Sequence, residues 1–444
     1  MLALAGTREA AGAQGQGTMV PVTSTAPSAP QAGDVLELTV GEAVHGGWCV
    51  SRQDDTGQAV FVRHALPGER VRATVTQPTA RFARADATEI LQPSADRVVP
   101  PCRYAGPGRC GGCDWQHVSL AAQRQLKAAV IRQQLRRIAG LDADVLVESI
   151  GADDDGFGWR TAVSFAVDRD GAAGLHKHRS HEIVPIDRCL IAHELVTGAD
   201  VTSKRWPGAQ SVEVAVVPRT GEVGVLVTGR PAGLPEVVAD SVQVASRSHR
   251  RTPVRGRGYL TEHAAGRDWR VSLGGFWQVH PAAADRLAED VLMALDPGPG
   301  AHALDLYCGA GLFAGVLAQA VGPAGTVLAV EHDAAAARDA RRNLRSWPWV
   351  RVRHGDAAAV LARTDLSEVS LVVLDPPRTG VARPVIEALC AGPRRMAYVS
   401  CDPATLARDL RLLLDGGFEL TGLRGYDAFP MTHHVECLAT LTRS

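Results

Sequence analysis

Aromatic residues make up only 5% of the 444 positions, and positive and negative charges nearly cancel, leaving a formal net charge of −1. A balance that close to neutral excludes a protein that coats nucleic acid by bulk charge, so any contact with a polyanion must be made by local basic stretches. No apolar run approaches the roughly 20 residues a membrane-spanning helix needs, and a membrane protein is not expected. The first residues are rich in Ala, Gly, Thr, Ser and Pro, without the basic start and apolar block of a secretory signal. Residues 1–31 are therefore expected to be a disordered tail. With no signal for secretion, the nine irregularly spaced cysteines point to metal binding or catalysis in a reducing, cytoplasmic setting rather than to a disulfide framework.

What the chain does have is length for two or three domains, with 45% hydrophobic and 21% charged residues in the proportions of a globular protein. Over 32–95, short apolar alternations broken by Gly and Pro (Val35 to Val40, Ala59 to Val62, Arg70 to Val75, Ala85 to Leu91) predict a small antiparallel barrel. A central α+β segment, 96–268, follows. It opens with a cysteine-rich loop, Cys102 to Cys113, and a helix from near Ser119 to just before Gly140, where glycine suits the left-handed cap. Strands such as Ala162 to Val167, Ser211 to Val217 and Val223 to Thr228 come next. From 269 to 444, apolar strands alternate with Ala-rich helices, which predicts an α/β, doubly wound parallel sheet.

The first strand of that last segment runs into Asp305-Leu306-Tyr307-Cys308-Gly309-Ala310-Gly311 and then a helix, a loop whose glycines let the backbone approach a ligand at a helix N-terminus. Glu331 ends the second strand, placed to accept hydrogen bonds from ribose hydroxyls. The loop alone also satisfies a dinucleotide fingerprint, Gly309-x-Gly311-x-x-Ala314. Asp356 after the third strand and Asp375-Pro376-Pro377 after the fourth put acidic residues at the carboxyl ends of successive strands, which favours a binding edge over isolated turn caps. The fifth strand ends in Ser400-Cys401-Asp402-Pro403, and Cys401 beside a helix N-terminus is a candidate nucleophile whose thiol the local field is expected to acidify. Cys308 and Cys390 read as packing residues. Phe429-Pro430-Met431-Thr432-His433-His434-Val435-Glu436 offers Glu436 as a base, with His433 and His434 left unassigned. Cys102, Cys110 and Cys113, with Cys189 as a remote fourth, suit a [4Fe-4S] cluster; four-thiolate zinc is the competing reading, but only one Cys-x2-Cys knuckle is present.

Together these motifs resemble the RNA 5-methyluridine methyltransferases, in particular the 23S rRNA branch with an N-terminal TRAM domain and an iron-sulfur cluster, over nearly everything from Asp34 onward. The resemblance implies a Rossmann-like class I methyltransferase domain, a TRAM/OB-like barrel, S-adenosyl-L-methionine as cofactor, and RNA as partner, with 23S rRNA favoured and tRNA the alternative. A monomer is expected. It implies Cys401 as nucleophile and Glu436 as base. Gln278, Tyr307, Gly309, Gly311, Glu331, Asp356 and Asp375 become cofactor residues, and Cys102, Cys110, Cys113 and Cys189 cluster ligands. The chemistry is coherent: C5 of uracil is too weak a nucleophile until a thiolate adds at C6, and a base must then remove the C5 proton. Four features depart from the family pattern: His280 and Asp402 where Asn is usual, Leu312 where the loop often has Asn, and a longer first cysteine spacing. Arg81, Arg84 and Arg97, the helix residues Arg124, Lys127, Arg132, Arg136 and Arg137, and the run Arg247, Arg250, Arg251, Arg255 and Arg257 are candidate phosphate contacts. A non-catalytic RNA-binding protein and an iron-sulfur dinucleotide oxidoreductase are the competing classes.

Overall fold

The computed structural model describes residues 29–53, 56–151, 155–246 and 251–443; most of the expected tail, and Arg247 and Arg250, lie outside the described residues. The N-terminal strands alternate sharply: in Arg70–Pro78, Val71, Ala73 and Val75 are buried while Arg70 and Arg72 face outward. That period of two gives the sheet one apolar face. Six strands pair in one sheet, which register shifts along Arg70–Pro78 and Phe82–Gln92 bend into a half-barrel around Leu38, Val60, Val62 and Ala85. Two of the strands, Ala43–Val44 and Trp48–Arg52, were not expected. The pairing of Ala59–Arg63 with Phe82–Gln92 is parallel, so the barrel is not purely antiparallel.

The helix after the cysteine loop starts where Ser119 caps the Ala122 amide and runs over Leu120–Gln134. It continues as a π turn, Leu135–Ala139, closed by Gly140 at φ +68°. Beyond it lies a seven-stranded sheet spanning Ala162 to Arg255. The expected boundary at 268/269 falls inside an antiparallel hairpin, Tyr259–Ala264 with Arg267–Ser272. Trp269 from this hairpin is buried against the helix Leu312–Val321, where a side chain at Gly315 would come within 2.4 Å of the ring.

The C-terminal sheet has eight strands in the order Val350–His354, Thr326–Glu331, His302–Leu306, Leu371–Leu374, Arg395–Ser400, Glu436–Thr442, Glu419–Asp427 and Val147–Ser149. Its first five are parallel and, apart from the edge strand Val350–His354, largely apolar, with one hydrophobic cluster on each face. Glu436–Thr442 inserts antiparallel beside Arg395–Ser400, opposing Ser400 to Cys437. Val147–Ser149, expected to belong to the central segment, is instead the outermost strand of this sheet. Among the described residues no helix is long and apolar enough to cross a membrane.

Candidate active site

The carboxyl edge of the parallel strands carries the candidate residues, and backbone geometry fixes the cofactor loop. Tyr307 and Cys308 donate to the Val330 carbonyl at 2.9 and 3.0 Å, tying the loop to the end of the second strand. Tyr307 sits at φ +67°, a left-handed conformation that costs a side-chain-bearing residue roughly 1–2 kcal/mol. Gly311, at φ +97°, has no room for a Cβ, which would lie 2.9 Å from Leu344 Cδ1, whereas the space around Gly309 is open. Glu331 accepts from the amides of Gly309 at 2.8 Å and Asp333 at 2.6 Å, so its carboxylate is held rigidly beside the loop. Leu312, one of the departures, is buried in the core cluster as the first helical residue.

Asp305 is fully buried, accepts from the Ala314 amide at 2.7 Å and leaves Oδ1 without a partner. Burial, with the charges of Asp375 and Glu331, raises its carboxyl to about 8. Burial likewise raises Asp375 to about 7. Three carboxyl groups around one glycine loop form a site that a cationic ligand would stabilise. The Asp356 side chain is exposed and accepts from the Ala359 amide at 3.0 Å, capping the helix Ala357–Leu361. Its charge is still felt at Tyr307, whose hydroxyl is raised to about 12 chiefly by burial.

Cys401 and Glu436 come together from adjacent strands. Glu436 is 3% exposed, its Oε1 has no hydrogen-bond partner, and burial and then Asp375 hold its carboxyl well above the usual range, opposed by Arg378. The Cys401 thiol is pushed up to about 12 by burial and by Glu436 and Asp375, against the pull of Arg378, which also hydrogen-bonds it. The expected acidification by the helix N-terminus is therefore overturned: two carboxyls and burial outweigh the helix. Arg378, two residues past the Asp-Pro-Pro turn's first proline, escaped the sequence reading because no motif marks it. It also lies 3.1 Å from His434 Nε2. Burial, with the neighbouring His433 and Arg378, lowers His434 to about 3, so the ring is neutral at neutral pH.

The loop 429–436 is held from the central segment. Lys127, expected to face RNA, is fully buried, 2.5 Å from Asp427 Oδ1, and donates to the Phe429 carbonyl at 3.0 Å. Gln123 Oε1 accepts from the Met431 amide, and the Met431 carbonyl accepts from Asp114 and Trp115. Asp114 Oδ2 takes the His433 amide at 3.2 Å and lies 2.6 Å from His433 Nδ1. Gln278 is 8% exposed in the segment leading to the helix Ala283–Leu295, and its neighbour Val279 packs with Phe429 and Met431. His280 stacks on Trp159 at 6.2 Å, a role a planar ring performs and Asn would not. Asp402, the third departure, caps the helix Pro403–Asp415 through Oδ1 and meets His45 Nε2 of the barrel at 3.1 Å through Oδ2.

Cys102, Cys110, Cys113 and Cys189 line one small cavity, together with Arg160, Leu175, Ile186 and Ile191. The thiols of Cys110 and Cys113 feel the charge of Cys189, and burial raises both. Among the described residues, no three His, Cys, Asp or Glu side chains are grouped so as to hold a metal ion, so the four thiols surround the cavity without closing on a point. Several basic candidates are committed elsewhere: Arg97 to Glu69 and the His64 carbonyl, Arg255 to the Val237 carbonyl, Arg257 to Glu222 and Arg251 to the Leu273 carbonyl.

Residues 31–88 match the TRAM domain, 360–444 match tRNA (Uracil-5-)-methyltransferase, and 282–362 match the protein-L-isoaspartate(D-aspartate) O-methyltransferase family. An uncharacterized RNA methyltransferase of Streptomyces coelicolor is 50% identical over 426 residues, covering 92% of this chain and 93% of its own. One from Bifidobacterium longum is 32% identical over 440 residues, covering 92% and 96%. The solved structure of the Pyrococcus abyssi tRNA (uracil-54, C5)-methyltransferase with S-adenosyl-L-homocysteine superposes with a TM-score of 0.69 at 22% identity, covering 92% of this chain and 100% of that one, which establishes the fold. With the glycine loop, the TRAM-type barrel and these relatives in agreement, the chain belongs to the RNA uracil-5-methyltransferase family and is an S-adenosylmethionine-dependent RNA methyltransferase.

Proposed function

We propose that the enzyme methylates C5 of a uridine in RNA, 23S rRNA in preference to tRNA, through a covalent adduct, working as a monomer in the cytoplasm. The observation that carries this reading is the meeting of Cys401, Glu436, Asp375 and Arg378 at the carboxyl edge, beside the glycine loop. Arg378 stabilises the Cys401 thiolate, which adds to C6 and places an electron pair on C5. S-adenosylmethionine, once bound, supplies the methyl group. Glu436, buried and with a free oxygen, removes the C5 proton, and the electron pair released expels the Cys401 sulfur. Gln278, Tyr307, Gly309, Gly311, Glu331 and Asp375 hold the cofactor, whose positive sulfonium suits the three carboxyls; Asp356 contributes at most through the oxygen its cap leaves over.

The cavity lined by four thiols and Arg160 fits a multi-atom group of negative charge better than a single zinc ion, which would draw its sulfurs to about 2.3 Å. A [4Fe-4S] cluster on Cys102, Cys110, Cys113 and Cys189 would cross-link the cysteine loop to the Asp187–Leu190 segment. The preference for 23S rRNA rests on the likeness to the TRAM- and cluster-bearing branch. Incubating the purified enzyme with radiolabelled S-adenosylmethionine and unmodified 23S rRNA or tRNA, followed by nucleoside analysis, tests the proposal. Label in 5-methyluridine from rRNA is expected; label from tRNA alone would transfer the activity to tRNA, and label in another nucleoside would overturn the chemistry.

A further inference from the structure

Trp48 is buried where the barrel meets the turn between Ala173–His176 and Ile183–Pro185 of the central sheet, and three guanidinium groups converge on its ring. Arg63 lies 5.8 Å from the ring centre, Arg84 5.7 Å and Arg179 5.8 Å, while His178 meets its edge at 5.5 Å. Of the three, Arg63 is neutralised by Asp114 at 3.1 Å, and the other Asp114 oxygen is taken by His433. Asp86, the nearby carboxyl of the barrel, is half-buried, and its charged neighbour is Arg63. Among the described residues Arg84 donates to the neutral amide of Gln77, has no carboxylate partner, and leans on Phe82 at 5.0 Å. Arg179, exposed on a turn at φ +51°, has no carboxylate partner among the described residues. Two guanidiniums from separate segments thus meet on one ring and oppose one another's charge, with no carboxylate partner among the described residues, a Coulombic cost that an anion between them would offset.

We propose that Arg84 and Arg179 clamp one phosphate of the RNA strand on its way to Cys401; the identity of the anion rests on the function proposed above. Guanidinium forks match phosphate oxygens and read no sequence. The direction follows from the same turn of the barrel. Three residues before Trp48, His45 reaches Asp402 at 3.1 Å, immediately beside Cys401, and its ring lies 6.4 Å from His433. The clamp and the nucleophile therefore flank one short barrel loop, and a strand gripped at the first is delivered to the second.

Fluorescence anisotropy with a labelled twelve-residue oligouridylate, measured on the full-length enzyme over a salt series, tests the clamp. Each phosphate contact on single-stranded nucleic acid contributes about 0.7 to the slope of log affinity against log salt. The R84Q/R179Q double variant should bind about tenfold more weakly at low salt and lose about 0.7 of slope, each single variant losing most of it because one phosphate is shared. R84K/R179K should keep the slope. Calorimetric binding of S-adenosylhomocysteine reports folding, and if the double variant fails it, Arg179→Gln on its exposed turn carries the comparison. No binding by the unaltered enzyme, or an unchanged slope in the variants, overturns the clamp. Slope loss without formation of 5-methyluridine would leave the clamp and overturn the methylation reading, and methylation with an unchanged slope the reverse.

Discussion

At the scale of the residue, the proposed chemistry turns on one thiol held back by its neighbours. Burial and then Glu436 push Cys401 up to about 12, so at neutral pH the resting site keeps it protonated. The proton balance has a definite sign: thiolate, the reactive form, accumulates with rising pH, so adduct formation should climb by about tenfold per unit below that value. Glu436→Gln removes the carboxyl that, wherever it is ionised, raises the thiol. Adduct formation on a 5-fluorouridine RNA should then reach a given rate at lower pH than in the parent enzyme, while turnover of ordinary uridine stops for want of a base. Stopped-flow or quench measurements between pH 6 and pH 9 would show this; an unshifted profile would mean that Glu436 does not face the thiol in solution. The same residues show what sequence could not convey. Strand-end placement and the Asp-Pro-Pro turn led to Cys401 and Asp375, but the sign of the thiol's shift depends on which carboxyls face it across the sheet, and Arg378 gains its role only from where the turn folds back.

Elements were legible where their periodicity was strong and their partners were local. Ser119 and Gly140 marked both ends of a helix that the structure confirms, including its left-handed cap. Ala43–Val44 and Trp48–Arg52 were missed because a glycine-rich turn interrupts a short apolar run, leaving too few residues to show alternation. Val147–Ser149 was misassigned because an edge strand three residues long carries no signal of the sheet it joins. Lys127 looked like surface charge in sequence, yet it is the pin between its helix and the loop 429–436. Lys127→Met would leave Asp427 buried without its counter-charge, which should cost about 3–5 kcal/mol. Urea unfolding measures it, and pairing Lys127→Met with Asp427→Leu should recover most of the loss. A loss below about 1 kcal/mol would show that the pair is not buried as described.

Across the whole molecule, a barrel, a loop and a helix from the first third of the chain converge around Cys401 and the loop 429–436. The barrel reaches Asp402, the helix cap beside Cys401, through His45, the cysteine loop reaches His433 through Asp114, and the helix Leu120–Gln134 reaches Phe429 through Lys127. Modularity was readable from composition; convergence was not, because each of these contacts joins residues about 300 or more positions apart. It gives the departures at 280 and 402 a physical account, as a ring stacked on Trp159 and a carboxylate facing the barrel's histidine. The central claim is that this assembly presents Cys401 to C6 of a uridine. Denaturing electrophoresis and peptide mass mapping, after incubation with S-adenosylmethionine and 5-fluorouridine-substituted 23S rRNA, tests it most directly, since fluorine at C5 blocks the final proton removal. A methylated adduct on Cys401, lost in Cys401→Ala, is the predicted result; an adduct that persists at undiminished yield in Cys401→Ala would contradict it.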